Sequence, residues 1–224
     1  MLRPKKKITK KEIQRDPFLE TVDQAQAHLE ENRSKYLQVG IAIVALLIGF
    51  NVISNNSQIR KKEASSSLGD ALLTLDINDQ TTAQFQLETV INEYENTASA
   101  SLAEYYLGKM SYDNNDIFNA EKYLRSYLNN NPKGFLAPSA AIILADILVS
   151  NKDFEKGFVL LDKCIKNSKS SKDVRQLKIR KAEYYVRNGQ ESEAKLIIEK
   201  LLLEEDLTLW NKQIGQEIMG KILS

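Results

Sequence analysis

Residues 60–206 repeat with a period of 37 across four units, and no insertion or deletion breaks the register. Stepping by that period from Ala83 reaches Ala120, Gly157 and Ala194, and from Ala71 it reaches Gly108, Ala145 and Ala182. Every one of these positions is small. Leu75 leads to Tyr112, Val149 and Val186, Leu87 to Leu124, Leu161 and Ile198, and Ile91 to Leu128, Ile165 and Leu202, all apolar. Between the two small columns stands a turn column, Asp79, Asp116, Asp153 and Gln190, with Asn114, Asn151 and Asn188 two places earlier. Apolar spacings of three and four on both sides of a turn describe two amphipathic helices. The small columns mark where those helices cross closely. The Asn column is expected to supply the left-handed residue that ends one helix, and the Asp column the N-cap of the next. One hairpin cannot bury its own apolar face, so neighbours must stack into a solenoid.

At these residues the chain resembles the tetratricopeptide repeat. The second unit carries the likeness: Leu107 and Gly108 match the L-G pair, Ala120 and Leu124 the A-x3-F motif, and Pro132 the closing proline. Glu104 stands where a Trp is usual, and the extra length of each unit is expected around 133–137. Ser101 and Glu104 read as a capping box opening that unit. In the last two units Gly157 replaces Ala and Lys181 replaces Leu. A final helix over 207–223 reads as a cap, with Leu209, Trp210, Ile214, Ile218 and Ile222 on its apolar face.

Ahead of the repeats, residues 36–59 hold no charge, and their centre reads VGIAIVALLIGF. A helix needs about 20 apolar residues to cross a bilayer, and this stretch has no polar face to turn toward water. It is expected to be an uncleaved transmembrane anchor: the charged stretch before it is long for a signal peptide, and Ser54, Asn55 and Asn56 offer no small-residue cleavage site. The first 15 residues carry seven basic side chains against Glu12, a net of +6, so the remainder carries −5 against a total of +1. That tip could meet a lipid headgroup layer, RNA or an acidic protein, or stay solvated. Asp16 and Pro17 form a helix start, followed by the stripe Phe18, Val22, Ala25 and Leu29. The short basic arm places residues 1–35 in the cytoplasm and the repeats outside, while the triplet at 60–62 argues the other way.

The fold class expected is all-α: one N-terminal transmembrane helix at 36–59, a tetratricopeptide-like α-solenoid of about four helical hairpins at 60–206, and a C-terminal capping helix at 207–224. With 9 Gly and 4 Pro the chain is poor in the residues that tight β turns use. Its one Cys forms no internal disulfide, and its one His excludes any site needing two. No phosphate loop, nucleophile elbow or paired metal motif occurs, so no catalytic, cofactor or metal residue is assigned. The stretch 76–79 reads as a hairpin turn rather than a calcium loop, Cys164 as a packing residue, and His28 as solvated. Glu204, Glu205 and Asp206 read as an exposed acidic connection.

The repeat implies a protein-binding scaffold whose first helices line a concave face. Tyr106, Lys109, Arg180 and Tyr184 are the candidate protein-binding residues there, with Tyr105 and Tyr185 assigned to the core. The layout of arm, anchor, basic cluster and opening helix at 64–75 resembles the membrane-anchored tetratricopeptide family ancillary to the bacterial Sec translocon. That resemblance implies an inner-membrane protein binding the translocon, periplasmic chaperones and secreted clients, with no small-molecule ligand and no nucleic acid. A cell-envelope assembly or division scaffold, or an inward-facing adaptor, is the alternative.

Overall fold

A computed structural model describes residues 17–223, without the side chains of 17–20, 23, 25, 49 and 51–53. The described residues form ten helices: α1 (Pro17–Glu31), α2 (Arg33–Asp76), α3 (Gln80–Glu93), α4 (Ala98–Asp113), α5 (Ile117–Asn130), α6 (Ala137–Ser150), α7 (Phe154–Asn167), α8 (Ser171–Arg187), α9 (Glu191–Leu202) and α10 (Leu209–Leu223). The chain divides into two units, Met1–Gln58 and Ile59–Ser224, and α2 contributes to both.

In the first unit α1 begins at Pro17, whose fixed φ suits the first helical position. The basic tip, Asp16, and the side chains of Phe18 and Ala25 lie outside the described residues, while Val22, Leu29 and His28 are exposed. Asn32 donates its backbone N–H to His28 and accepts from Tyr36, so the i→i−4 pattern runs from α1 into α2. Among the described residues no helix is long and apolar enough to cross a membrane. The stretch expected to do so lies in α2, and the side chains of 49 and 51–53 within it are not described. Those that are, from Leu37 to Phe50, include nine large apolar residues, every one exposed.

In the second unit the C-terminal part of α2 pairs with α3, α4 with α5, α6 with α7 and α8 with α9. The first helices also touch one another in sequence, α4 with α6, α6 with α8 and α8 with α10. The small columns sit where expected. Ala71, Ala83, Ala120, Ala145, Ala182 and Ala194 are all fully buried. A Cβ on Gly108 would lie 2.7 Å from Leu124 Cγ, and one on Gly157 would lie 3.2 Å from Val149 Cγ2. Lys181 occupies the place of Leu107 and Leu144 with its stem buried, and its ammonium reaches Asp162 at 2.6 Å. Three apolar clusters run along the array, one over the first two units, one from α4 to α8, and one joining α8, α9 and α10.

The four hairpin turns are copies of one hydrogen-bonded structure. In the second unit the N–H of Asn115 donates to Tyr112 O and that of Asp116 to Ser111 O. The same pair recurs as Asn78 and Asp79, Lys152 and Asp153, and Gly189 and Gln190. This is the Schellman closure of a helix, and its last residue serves as N-cap of the following helix. The side chains of Asp79 and Asp116 accept the N–H of Thr82 and Asn119 at 3.2 Å. Hydrogen bonds from the side chains of Thr82 and Asn119 first, and then these backbone bonds, hold both carboxyls below the usual range. Asp153 makes no such bond and pairs with Lys156.

Four sequence expectations need correction. The left-handed residues are Asn78, Asn115, Lys152 and Gly189, with φ of 62–72°, one place after the Asn column. Asn114, Asn151 and Asn188 are the C-caps themselves, with negative φ. The helix α4 starts at Ala98 under Thr97, whose side chain accepts the Ala100 N–H, so Ser101 lies inside it and opens no capping box. The connection at Glu204–Asp206 is exposed at Glu205 and Asp206, as expected, but it is not free of partners: Glu204 and Asp206 both bind buried Arg175, which lowers the pKa of each carboxyl. The cap α10 buries Asn211, Gly215 and Ile218 against the array, and Leu209 and Trp210 face solvent.

Candidate protein-binding face

The contacts among α4, α6, α8 and α10 make one continuous surface from the first helices, and the 37-residue step fixes its rows. One row is Tyr106, Ile143 and Arg180; the next is Lys109, Asp146 and Glu183; a third is Asp113, Ser150 and Arg187. Tyr112 lies among them. Burial raises the pKa of its hydroxyl first of all, and Asp146, Arg180, Asp113 and Arg187 act on it through space, so residues of three helices converge there.

Three of the four candidates lie on this surface with access to solvent. Tyr106 is half-buried, its ring edge-on to Tyr105 at 5.3 Å. Lys109 is exposed and pairs with Asp113 at 2.6 Å. Arg180 is half-buried and pairs with Glu183 at 2.9 Å. The fourth does not belong with them. Tyr184 is 1% exposed, buried as Met110 and Ile147 are at the same place in their own units. Its hydroxyl donates to Asp146 Oδ1 at 2.6 Å, and burial first, then that carboxylate, raises its pKa. Tyr184 therefore joins the third and fourth units and leaves almost no surface of its own for a partner. Tyr105 is buried and Tyr185 half-buried against Phe158, as the column reading expected.

Two residues of the face were missed. Asp146 is half-buried and is the only charged residue of α6, a signal that was open to reading. Arg187 is exposed at the end of α8, with its guanidinium 5.9 Å from the Tyr184 ring centroid. With Arg180, Glu183, Tyr184, Val186, Ile218 and Lys221 it lines a recess of about 280 Å³ between α8 and α10. Cys164 is buried between α6 and α7, and burial pushes its thiol up to about 11. Among the described residues no group of three His, Cys, Asp or Glu is placed to hold a metal.

Stacked helical hairpins with a shared first-helix face define the class: an α-solenoid that presents a surface to other proteins. Residues 26–200 match the model of the tetratricopeptide repeat-like domain, and the chain belongs to that family. Domains of this kind are protein-interaction scaffolds. A comparison with curated proteins returned no match.

Proposed function

We propose that the chain is a membrane-tethered scaffold that holds extended segments of partner proteins on the face of α4, α6 and α8. The observation that carries the tether is the exposure of ten residues between Tyr36 and Phe50, all large, apolar or aromatic, on every side of one helix. Water-soluble proteins rarely leave so long an apolar surface open, and a helix apolar all round calls for a lipid or protein surround. The family match begins at residue 26, ahead of this stretch, which fits an anchor and repeat array inherited together.

In this reading the anchor sits in a bacterial inner membrane, the basic arm is cytoplasmic, and the repeats project outward beside the Sec translocon. Their partners there are translocon subunits, periplasmic chaperones and emerging secreted chains. The support is the layout of the chain, since the repeat by itself suits any protein partner. An inward-facing adaptor is the second reading, favoured by Arg60, Lys61 and Lys62 directly after the uncharged stretch. Alkaline phosphatase fused after Ser224 is active only outside the cytoplasm, so an inactive, stable fusion rules out the outward reading. Crosslinking in native membranes followed by mass spectrometry then names the partners. Recovery of envelope-assembly proteins without any Sec component would replace the translocon assignment.

A further inference from the structure

The charges on the first-helix face are mostly settled locally. Lys109 pairs with Asp113 one turn along α4, and Arg180 with Glu183 one turn along α8. Asp146, in the same row as Lys109 and Glu183, has no such neighbour: positions three and four away on α6 are Ile142, Ile143, Val149 and Ser150. It makes no ion pair among the described residues, and its hydrogen-bond partner is the hydroxyl of Tyr184. A half-buried carboxylate flanked by isoleucines is partly desolvated, and one neutral donor leaves most of its acceptor capacity unused. Arg180 and Arg187 also act on Tyr112 beside it, but Arg180 is paired with Glu183, and a cation that touches the carboxylate directly meets a stronger field than at the open surface. Tyr112, near enough to Asp146 to feel its charge, supplies an aromatic wall suited to an alkylammonium or guanidinium group.

We infer that Asp146 is the charge-recognition point of this face, selecting extended polypeptide segments that place a lysine or arginine against it. The inference rests on the binding role proposed for the face and specifies its partner. It is tested with the full chain in detergent micelles and fluorescent ten-residue Ala/Ser/Leu peptides differing only at a central Lys, Arg, norleucine or Glu. Anisotropy should show the Lys and Arg peptides binding about tenfold more tightly than norleucine, with Glu weakest. Asp146→Asn keeps an acceptor for Tyr184 and should erase the difference between the Lys and norleucine peptides. A Lys preference that survives in Asp146→Asn overturns the assignment, as does equal binding of Lys and norleucine by the parent chain. A benzophenone attached at Tyr106→Cys separates the two levels of the argument. Charge-blind peptides that crosslink from that position leave the face standing and remove Asp146's role, whereas no binding and no crosslink from any peptide remove both.

Discussion

Lys152 holds φ of 65° at a turn position where the other three units place Asn78, Asn115 and Gly189. A residue with a Cβ costs roughly 1–2 kcal/mol in the left-handed region, and Asn tolerates it best among the non-glycines. Lys152→Gly relieves that strain but adds about 0.5–1 kcal/mol of unfolded-state entropy to be lost. The net expectation is a gain of about 0.5–1 kcal/mol, with Lys152→Asn close behind. Gly189→Ala makes the opposite change and should cost about 1 kcal/mol. For a chain of this size each kcal/mol moves Tm by about 2–4 °C, so the two single variants should differ by several degrees in thermal unfolding followed by circular dichroism in detergent. Because the turns belong to different hairpins, the effects should add in the double variant. A Lys152→Gly protein no more stable than its parent, or a Gly189→Ala protein that gains stability, would refute the claim that these turns carry backbone strain.

Four further outcomes follow from the packing and the turns. Gly108→Ala forces a methyl to 2.7 Å from Leu124 and should destabilise by about 1–2 kcal/mol in urea unfolding, whereas Gly69→Ala, with open space around it, should stabilise by up to about 1 kcal/mol. Tyr184→Phe strips the buried hydroxyl from Asp146 and should cost about 1.5–3 kcal/mol, read as a lower urea midpoint at unchanged slope. Asp116 has its carboxyl depressed in the folded state, so its contribution is present above about pH 4, the unfolded value, and is lost as pH falls through the lower folded one. Asp116→Asn, which still caps, should flatten that part of the acid limb and lower stability at pH 7 only by the small contribution of the charge. Cys164, with its thiol near 11, is about one-thousandth thiolate at pH 8. Maleimide should label it only in urea concentrations that unfold the repeats, and rapid native labelling would contradict its burial.

The repeat was legible because close packing constrains side-chain size, and size survives in a sequence as columns. The left-handed turn residue was misplaced by one because its column holds Asn, Asn, Lys and Gly. A backbone demand can be met by several residue types, whereas the neighbouring column holds Asn in three of its four units, with Ile77 in the first, for a different reason, as the C-cap. The burial of Tyr184 was not foreseen because a tyrosine on a first helix looks like an interface residue. Its column, Leu73, Met110, Ile147 and Tyr184, is apolar throughout and marks packing on the preceding unit. Leu73, in the first unit, has nothing before it and is exposed. The partnership of Arg175 with Glu204 and Asp206 joins positions about thirty apart without any repeat to announce it, so no periodic reading reaches it.

The hairpin turn bears on how this chain can change length. Each turn closes one helix with hydrogen bonds drawn from its own few residues and leads straight into the N-cap of the next. A duplication of 37 residues would therefore import a finished turn and a new first helix in phase, lengthening each of the three rows of the binding face by one side chain. An insertion of any other size within a hairpin would rotate every following helix relative to the face. Genetic drift in the length of this array should accordingly be quantised, with odd-sized insertions tolerated chiefly between hairpins, as at the α5–α6 connection.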